Sequence, residues 1–443
     1  MIVATLFGTA GVYVASPFYG VFVYYLFAVL RPQFIWEWSL PTGVNWSLYV
    51  GLCTIGAAVV GLLGALQVAP GSGGRQPATH RLSWAHGVVL LFGVWVLITY
   101  ITAHDREVAG YWTYEYTKIF VMYFVAAYLI RTQRQVWALF LMIPVVLGYI
   151  AYEINYLYFV NNYLGIERNG YGGLDNNGAG LMLAMGLPLC WFAFEGLRSR
   201  WRWGFLVLIP IIVHAVLMSY SRGAMVSMIV ACPFLVWRSR QRVRLVIALV
   251  CFFLLALPVM AGPQIRARFM TLEQNELDDS ANQRRASWAA AWRIAQDYPI
   301  FGVGVRNAGL YSLQYGADSE GRTIHSQYLQ IAADNGFPGL FLYLLMFGTA
   351  WASLRQSRRS VIGRTDPEAR MVNAYASGIE VSLLLYSCGA IFLSLEVFEL
   401  PFLLLLLSAQ LPVVRAPRDV VPSEARITYP VPFHGVAREV MTR

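Results

Sequence analysis

The sequence predicts an all-α polytopic membrane protein, because it is unusually apolar and poor in charge. Of its 443 residues, 58% are hydrophobic and 13% are charged, and the mean hydropathy is +0.53. Charged residues make up about a quarter of a typical soluble domain. Apolar stretches near the length of about 20 residues that a membrane-spanning helix needs also recur along the whole chain. Together these features exclude a soluble globular fold.

Twelve apolar spans account for most of the chain. The first is either one long helix or two short helices, and the others are single segments. The five cysteines all fall inside the spans, so neither a disulfide framework nor a Cys-x-x-Cys metal pair is expected. The spans cover about residues 3–30, 44–66, 84–103, 117–131, 136–160, 174–196, 201–220, 223–237, 243–262, 325–350, 371–395 and 400–414.

Arginine is distributed unevenly between the loops that join these spans. Arginine-rich loops stay in the cytoplasm, and all of them fall on one side if the N-terminus is cytoplasmic. This set comprises Arg75 and Arg81; Arg131 and Arg134; Arg198, Arg200 and Arg202; Arg238, Arg240, Arg242 and Arg244; and Arg355, Arg358, Arg359, Arg364 and Arg370. The opposite short loops are poorer in arginine and carry Asp105, Glu107, Glu115 and Glu167.

This topology divides the chain into four segments. Residues 1–262 form a bundle of transmembrane helices, and residues 263–324 form one large external loop. Residues 325–414 return to the membrane as further helices, and residues 415–443 form a polar cytoplasmic tail.

One arginine, Arg222, interrupts a long apolar region. Arginine clusters flank residues 201–237 on both sides. As one helix this region would extend about 55 Å, far beyond a hydrocarbon core of about 30 Å. A hairpin returns both clusters to the cytoplasm and places its turn, Ser219 to Gly223, at the outer face. Arg222 then opens a helix whose unpaired N–H groups form a ready anion site.

The large external loop contains one predicted helix, from Gln283 to Gln296, which ends before Pro299. Arg284, Trp288, Ala291 and Ala295 share one face of this helix by 3.6-residue periodicity. The tryptophans suit a helix at the membrane interface. Arg284 is therefore expected to point towards lipid headgroups or the protein, and Arg285 more to the side.

Three short motifs share this outer face. They are Ser221-Arg222-Gly223-Ala224; Arg284-x-x-x-Trp288 followed by Asp297-Tyr298-Pro299-Ile300-Phe301-Gly302-Val303-Gly304; and His325-Ser326-Gln327-Tyr328, which continues to Leu340. In order and spacing they resemble the O-antigen ligase and polymerase superfamily (Wzy/WaaL-like proteins) over about residues 170–345. The segment Leu30-Arg31-Pro32-Gln33 resembles the subgroup found with exosortase systems. Asp334 and Asn335 are expected to form a break before Gly336 and Pro338.

The resemblance implies a GT-C-like glycosyltransferase in the bacterial inner membrane, with its large loop and active site facing the periplasm. Such an enzyme moves a glycan from undecaprenyl diphosphate to an acceptor hydroxyl with inversion, and it needs no metal or other cofactor. Arg222 and Arg284 would bind the diphosphate bidentately, together with Arg285 and Ser221. His325 would accept or orient the proton of the acceptor hydroxyl. The expected partners are the undecaprenyl-diphosphate-linked glycan, a lipid A-core or other glycan or protein acceptor, and membrane lipid; no nucleic acid is expected.

Several alternatives stay open. Arg222 and Arg284 also fit ordinary interfacial arginines, and His325 also fits a helix cap. An O-antigen ligase with lipid A-core as acceptor is the leading hypothesis, and a Wzy-like polymerase or a protein O-glycosylating ligase would share its donor site. A transporter or flippase would carry charges through mid-membrane and paired broken helices, whereas Arg222, Arg284 and His325 gather at the outer face.

Two further features have mainly structural explanations. His214 lies inside a span and fits a hydrogen-bonded packing residue. Tyr111, Trp112, Tyr114 and Tyr116 are expected to form an external aromatic cluster, either as an interfacial belt or as a surface that stacks on sugar rings.

Overall fold

The structure is a computed structural model, and it describes residues 2–36, 39–41, 44, 46–67, 83–256, 279–319, 321–395 and 397–415. Within these residues the regular structure is helical, apart from one isolated bridge between Tyr171 and Leu174. The predicted all-α fold is therefore confirmed. The predictions for Arg75, Arg81, residues 263–278 and residues 416–443 lie outside the described residues.

The helices are numbered α1 to α17 in chain order. Before the large loop they are α1 Ile2–Val14, α2 Phe18–Leu30, α3 Pro32–Ile35, α4 Trp46–Gln67, α5 Trp84–Ile101, α6 Arg106–Leu129, α7 Gln133–Asn161, α8 Gly165–Asn169, α9 Asn176–Gly196, α10 Arg202–Met218, α11 Arg222–Arg238 and α12 Arg242–Cys251. A π-helical turn, Phe252–Ala256, continues α12. The others are α13 Asp279–Asp297, α14 Ala308–Tyr311, α15 Gln327–Arg359, α16 Pro367–Gly389 and α17 Glu399–Arg415.

Most predicted spans agree with these helices to within a few residues. Of the described helices, α4, α5, α7, α9 and α15 are long and apolar enough to cross a membrane, and α1, α2 and α10 are apolar but shorter. Helix α6 begins at Arg106, well before residue 117, where the predicted span starts, and the start of that span stays a prediction. The Asp105 side chain caps this helix by accepting hydrogen bonds from the N–H groups of Glu107 and Val108, at 3.0 Å each.

The bundle has two ends, the His325 end and the Arg238 end, each named after a residue that lies at it. At the His325 end, α9, α11 and α15 begin. At the Arg238 end, the same helices terminate, and the guanidinium groups of Arg238 and Arg358 both contact the carboxylate of Glu380. Arg370 also donates there to the carbonyl oxygen of Glu195, at 2.6 Å. The described arginine-rich loops therefore meet at one end of the bundle, as predicted.

The first span is a hairpin of two short helices. α1 and α2 have 13 residues each, and they pack antiparallel, with Phe7 and Tyr19 at 5.6 Å between ring centroids. Thirteen helical residues rise about 20 Å, which is less than a hydrocarbon core of about 30 Å. Arg31 follows the last residue of α2. It donates to the carbonyl oxygen of Gly172 and pairs with Glu399 at the His325 end.

The hairpin overturns one topological expectation. Because α2 ends at the His325 end, α1 must begin at the same end. The prediction that the N-terminus lies on the arginine-rich side is therefore wrong. It rested on counting residues 3–30 as one crossing.

Helix α9 occupies the centre of the bundle, where it packs against α7, α10, α11 and α16. Nearly nine-tenths of its length is buried, at 89%. Small residues allow this close packing. A Cβ on Gly180 would lie 2.5 Å from the Ser219 hydroxyl oxygen, and one on Gly186 would lie 2.9 Å from a methyl group of Leu147. The helix therefore holds the hairpin α10–α11 tightly in place.

Candidate functional site

The turn between α10 and α11 places Arg222 at the His325 end, so the predicted hairpin is confirmed. Ser221 is buried and caps α11, because its hydroxyl oxygen accepts a hydrogen bond from the N–H of Ala224 at 3.2 Å. Arg222 is the first residue of the helix, and it is exposed. Asn176, the first residue of α9, donates to the carbonyl oxygen of Ser219 at 3.0 Å. A contact between Ser221 and a substrate stays a prediction.

Helix α13 carries the second predicted arginine, and the face predicted from its periodicity is confirmed. Ala291 and Ala295 are fully buried. Arg284 is half-buried on the same side, whereas Arg285 is exposed. The buried face packs against α15 and the residues that follow α13, rather than standing apart from the protein. The difference in exposure favours Arg284 over Arg285 as the more constrained cation.

His325 lies just before α15 in a left-handed backbone conformation, with φ of 54°. Its carbonyl oxygen accepts a hydrogen bond from the indole N–H of Trp288, at 3.2 Å. Burial holds the pKa of the imidazole below its usual value, and the positive charge of Arg284 lowers it further. Arg322 and Arg306 act in the same direction, and Asp175 opposes them. The ring is therefore a neutral base at neutral pH.

A chain of contacts joins the hairpin turn to His325. A Cβ on Gly223 would lie 3.5 Å from the Cβ of Phe392, which follows α16. The Phe392 ring in turn lies 6.3 Å from the ring of Trp288, between centroids. Trp288 then binds the backbone of His325. The structure thus brings the elements that carry Arg222, Arg284 and His325 to one end of the bundle.

Phe392 lies in the segment between α16 and α17. The sequence predicts no functional role for this segment. This segment is fixed to the start of α15, because Gln327 donates its N–H to the carbonyl oxygen of Ala390 at 2.8 Å. The Gln327 side-chain oxygen also accepts a hydrogen bond from the N–H of Leu395. These contacts join residues more than sixty positions apart. No local pattern in the sequence predicts them.

The break predicted near Asp334 is confirmed, and the loop after α13 fills it. Gly336 has φ of 70° and ψ of 178° inside α15. The N–H of Phe337 donates to the carbonyl oxygen of Pro299, at 2.9 Å. A Cβ on Gly336 would overlap the carbonyl oxygen of Ile300, so only glycine fits here. The loop therefore packs directly into the interrupted helix.

An apolar cavity of about 430 Å³ opens between α9, α10, α11, α12 and α16. Leu217 and Met225 line it within one helical turn of the Ser219–Arg222 segment, and Leu206 and Leu245 line it further towards the Arg238 end. The cavity thus runs from the vicinity of the hairpin turn along the helices towards the Arg238 end, and exposed residues such as Ile229 and Phe253 form part of its lining. Its lining suits a hydrocarbon chain.

The predicted external aromatic cluster is partly wrong. Tyr116 is buried and stacks on Phe120 at 5.7 Å between ring centroids, because this segment belongs to α6. Tyr111 and Tyr114 are exposed, and the guanidinium of Arg306 covers Trp112 at 4.5 Å from the ring centroid.

His214 is a packing residue, as predicted. Its ring nitrogen contacts the Asn155 side-chain oxygen at 2.7 Å. Within the described residues, no group of three or more His, Cys, Asp or Glu side chains is arranged to hold a metal ion.

Fold and site together define an all-α membrane protein with arginines and a histidine gathered at one end of its helical bundle. Residues 211–344 match the family model described as O-antigen ligase. This segment contains Arg222, Arg284 and His325, and the match confirms the resemblance to the O-antigen ligase and polymerase superfamily. The match supports a membrane glycosyltransferase of the ligase or polymerase type. No curated protein matches the chain.

Proposed function

We propose that the protein is an O-antigen ligase of the bacterial inner membrane. It transfers a glycan from undecaprenyl diphosphate to a hydroxyl of lipid A-core at the periplasmic face. The observation that carries the proposal is the meeting of Arg222, Arg284 and His325 at one end of the bundle, inside the segment that matches the O-antigen ligase family.

The donor carries its negative charge on the diphosphate at the level of the lipid headgroups. Arginine binds phosphate oxygens through a planar fork of N–H groups and stays charged at any relevant pH. Arg222 also stands at the start of α11, where the helix N-terminus attracts anions. Arg222 and Arg284 together bind the diphosphate and stabilise the charge that grows on it as it leaves.

The apolar cavity supports a lipid-linked donor in particular. Its end at Leu217 and Met225 lies one helical turn from the hairpin turn that carries Arg222. A lipid with its diphosphate at Arg222 therefore has an apolar space for the adjoining isoprenoid units. Because this chain already lies in hydrocarbon, the cavity would hold it by van der Waals packing rather than by a hydrophobic transfer from water.

The reaction is a displacement at the anomeric carbon of the glycan. The oxygen of the acceptor hydroxyl forms a bond to this carbon from the face opposite the diphosphate, and the bond between the carbon and the diphosphate oxygen breaks. The electron pair leaves with undecaprenyl diphosphate, and the hydroxyl proton passes to a ring nitrogen of His325. The lowered pKa of His325 keeps the imidazole neutral and able to accept this proton. The anomeric configuration inverts.

The orientation of the bundle follows from its two ends. The described arginine-rich loops lie at the Arg238 end, which we assign to the cytoplasm by the positive-inside rule. The His325 end then faces the periplasm, where a lipid-linked glycan is the available donor. The same assignment gives the cytoplasmic location of the tail after Arg415.

Deletion of the gene, followed by gel analysis of lipopolysaccharide, tests the proposal. A ligase deletion removes the whole ladder of long glycans, and the lipid-linked polymer accumulates. A single repeat on lipid A-core would instead identify a Wzy-like polymerase, and loss of glycan from a protein would identify a protein O-glycosylating ligase. An unchanged glycan profile would contradict all three activities.

A further inference from the structure

Two loops at the Arg238 end, residues 197–202 and 238–244, carry a dense positive charge. They contain seven arginines and no acidic residue. Arg202 is the first residue of α10, and Arg242 is the first residue of α12. The positive-inside rule accounts for arginine in such loops, but it does not account for how these two arginines are placed relative to the apolar cavity.

Direct contacts hold Arg202 and Arg242 around the end of α9. The guanidinium carbon of Arg202 lies 5.3 Å from the ring centroid of Phe194. The next residue, Glu195, accepts a hydrogen bond from the hydroxyl of Ser239 at 2.5 Å. The Nε of Arg242 donates in turn to the carbonyl oxygen of Ser239, at 3.2 Å. The two arginines therefore stand at one place on the bundle, although they belong to different helices.

The carboxylate of Glu195 is used inside this loop. Its side chain is buried, and it also accepts hydrogen bonds from the N–H groups of Arg240 at 3.2 Å and Gln241 at 3.1 Å. These donors satisfy a charge that would otherwise be costly to bury. Glu195 thus fixes the shape of the loop rather than neutralising the guanidinium groups around it.

The two guanidinium groups have room for an anion. In the part of the chain that the structure describes, Arg202 contacts only the rings of Phe194 and Trp203, and Arg242 donates only through its Nε. Arg202 is partly exposed, and Arg242 is exposed. Their terminal N–H groups can therefore bind phosphate oxygens through the planar fork that arginine presents.

The apolar cavity begins one helical turn away from both arginines. Leu206 follows Arg202 by four residues, Leu245 follows Arg242 by three, and both leucines line the cavity. Residues at these spacings lie on the same face of a helix. Trp191 also lines the cavity, and its indole N–H donates to the hydroxyl of Ser239 at 3.2 Å. The arginine loop and the cavity wall are thus joined directly.

We propose that Arg202 and Arg242 bind the phosphate of an anionic phospholipid of the phosphatidylglycerol class. One acyl chain of this lipid lies in the part of the cavity between Leu206 and Leu245. Basic pockets between membrane helices bind anionic headgroups in this way. A zwitterionic phospholipid fits less well, because the arginines repel its amine.

Two features of the surroundings suit a lipid. The exposed side chains of Trp201 and Trp203 lie beside Arg202, and tryptophan is enriched at the level of the headgroups. The exposed lining residues Ile229 and Phe253 leave the cavity open to the side, so a chain can enter from the bilayer. This site goes beyond the proposed function, because it lies at the opposite end of the bundle from Arg222.

The first test measures phosphatidylglycerol binding to the purified full-length protein in detergent micelles by native mass spectrometry. Arg202→Gln/Arg242→Gln should raise the Kd about tenfold or more, since it removes two charges at the headgroup. Arg355→Gln/Arg359→Gln is the matched control, because it removes two exposed arginines of α15 at the same end of the bundle but away from the cavity. It should keep the wild-type Kd.

Two results of this test would overturn the site. One is a wild-type Kd in Arg202→Gln/Arg242→Gln. The other is an equal loss in the control pair, which would show general attraction to a basic surface. If the glutamine pair has no thermal transition without lipid, Arg202→Gln alone takes its place. Its Kd should then rise about threefold or more, and a wild-type Kd in this variant would also overturn the site.

The second test distinguishes a lipid from a free phosphate. Ala248 of α12 lines the cavity, and Ala248→Trp should raise the Kd for phosphatidylglycerol about threefold or more, because the ring takes space from the acyl chain. Val246→Trp, on an exposed part of the same helix, should keep the wild-type Kd. Glycerol 3-phosphate in large excess should not displace the lipid. Displacement by glycerol 3-phosphate, or a wild-type Kd in Ala248→Trp, would show a phosphate site without a chain site.

The third test compares lipids. A ligand that binds only the folded state raises the thermal midpoint. Phosphatidylglycerol should therefore raise the midpoint of the wild type more than that of Arg202→Gln/Arg242→Gln, and more than phosphatidylethanolamine does. Equal rises with the two lipids would overturn the selection for an anionic headgroup.

These measurements need no glycan transfer. A protein that binds phosphatidylglycerol through Arg202 and Arg242 but transfers no glycan would support the lipid site and contradict the proposed function. Transfer by a protein with no preference for phosphatidylglycerol would do the reverse.

Discussion

At the scale of single residues, the candidate site combines two kinds of side chain with different electrostatic tasks. Arg222 is exposed at a helix start, and Arg284 is half-buried beside Trp288. His325 is held neutral by burial and by neighbouring positive charge, which lower its pKa. In the proposed reaction the arginines would attract the anionic donor, and the same positive charge lowers the pKa of the imidazole. The proposal therefore assigns substrate attraction and a neutral base to one charge distribution.

Substitution of each residue by alanine should reduce glycan transfer without removing the protein from the membrane. The loss of one positioned donor at a developing anion costs about 10²–10³-fold in rate, and the loss of a general base costs about 10²–10⁴-fold. We therefore expect reductions of this size for Arg222→Ala, Arg284→Ala and His325→Ala. Transfer is measured in membranes that contain equal amounts of each variant.

Arg168→Ala is the matched control for these variants, because Arg168 is an exposed arginine of α8 near the His325 end. It should retain wild-type transfer. Wild-type activity in Arg284→Ala would contradict the assignment of that arginine, and Arg285 would become the candidate on α13.

The sequence predicts the individual site residues better than their supporting contacts. The orientation of Arg284 relative to Arg285 follows from the 3.6-residue period of one helix, which is local information. The carboxylate of Asp334, in contrast, accepts hydrogen bonds from the N–H groups of Arg306 and Ala308, which lie on a separate turn. One signal was available: Asp334 follows Ile331, Ala332 and Ala333, and a carboxylate in such an apolar segment needs buried partners.

At the scale of helices, an ion cluster joins three elements at the Arg238 end. Glu380 of α16 lies 2.6 Å from a guanidinium nitrogen of Arg238 on α11 and 3.0 Å from one of Arg358 on α15. The carboxylate is only 7% exposed. Breaking a buried pair is costly because it leaves an uncompensated charge. This cluster therefore fixes the helices that carry Arg222 and His325 at their far ends.

Glu380→Gln should lower the stability of the folded protein by about 3–5 kcal/mol, since it leaves two arginines without their carboxylate. The measurement is the thermal midpoint of the detergent-solubilised protein. Glu368→Gln is the control, because Glu368 is 39% exposed where it pairs with Arg364. Exposed pairs contribute about 0–1 kcal/mol. Equal thermal midpoints for the two variants would show that the Glu380 cluster does not stabilise the packing of α11, α15 and α16.

Most helices of the bundle can be predicted from the sequence, because an apolar run of the right length is a local property. The early start of α6 is harder to predict, since Tyr111, Trp112 and Tyr114 resemble a loop cluster. The N-cap residue Asp105 before Arg106 is the available signal. The division of residues 3–30 into α1 and α2 depends on the contacts of Gly8 and Gly11 with the second helix.

At the scale of the whole molecule, the described arginine-rich loops lie at the Arg238 end, and the proposed function assigns the opposite end to the periplasm. Single cysteines at exposed positions of the two ends test the orientation. In a variant without the five native cysteines, Ser319→Cys reports on the His325 end and Ser199→Cys on the Arg238 end. A membrane-impermeant thiol reagent should label Ser319→Cys in intact spheroplasts and Ser199→Cys only after permeabilisation.

The reverse labelling pattern would place the site in the cytoplasm and contradict the proposed orientation. Labelling of both cysteines only after permeabilisation would also contradict it. The sequence alone predicts which loops share a side, because arginine counts are local. It does not predict that α1 and α2 form a hairpin, and the position of the N-terminus depends on that hairpin.

The loop that contains Pro299 and Ile300 packs into the interruption of α15 at Gly336, so this loop and α15 are joined directly. The carbonyl oxygen of Pro299 bonds the N–H of Phe337, and Ile300 occupies the space that a side chain at Gly336 would fill. Bilayers of different thickness change the tilt of long helices. When α15 tilts, we expect the turn at Pro299 to move with it, because the backbone hydrogen bond from Phe337 joins them. The contact between this loop and α15 should therefore persist in membranes of different thickness.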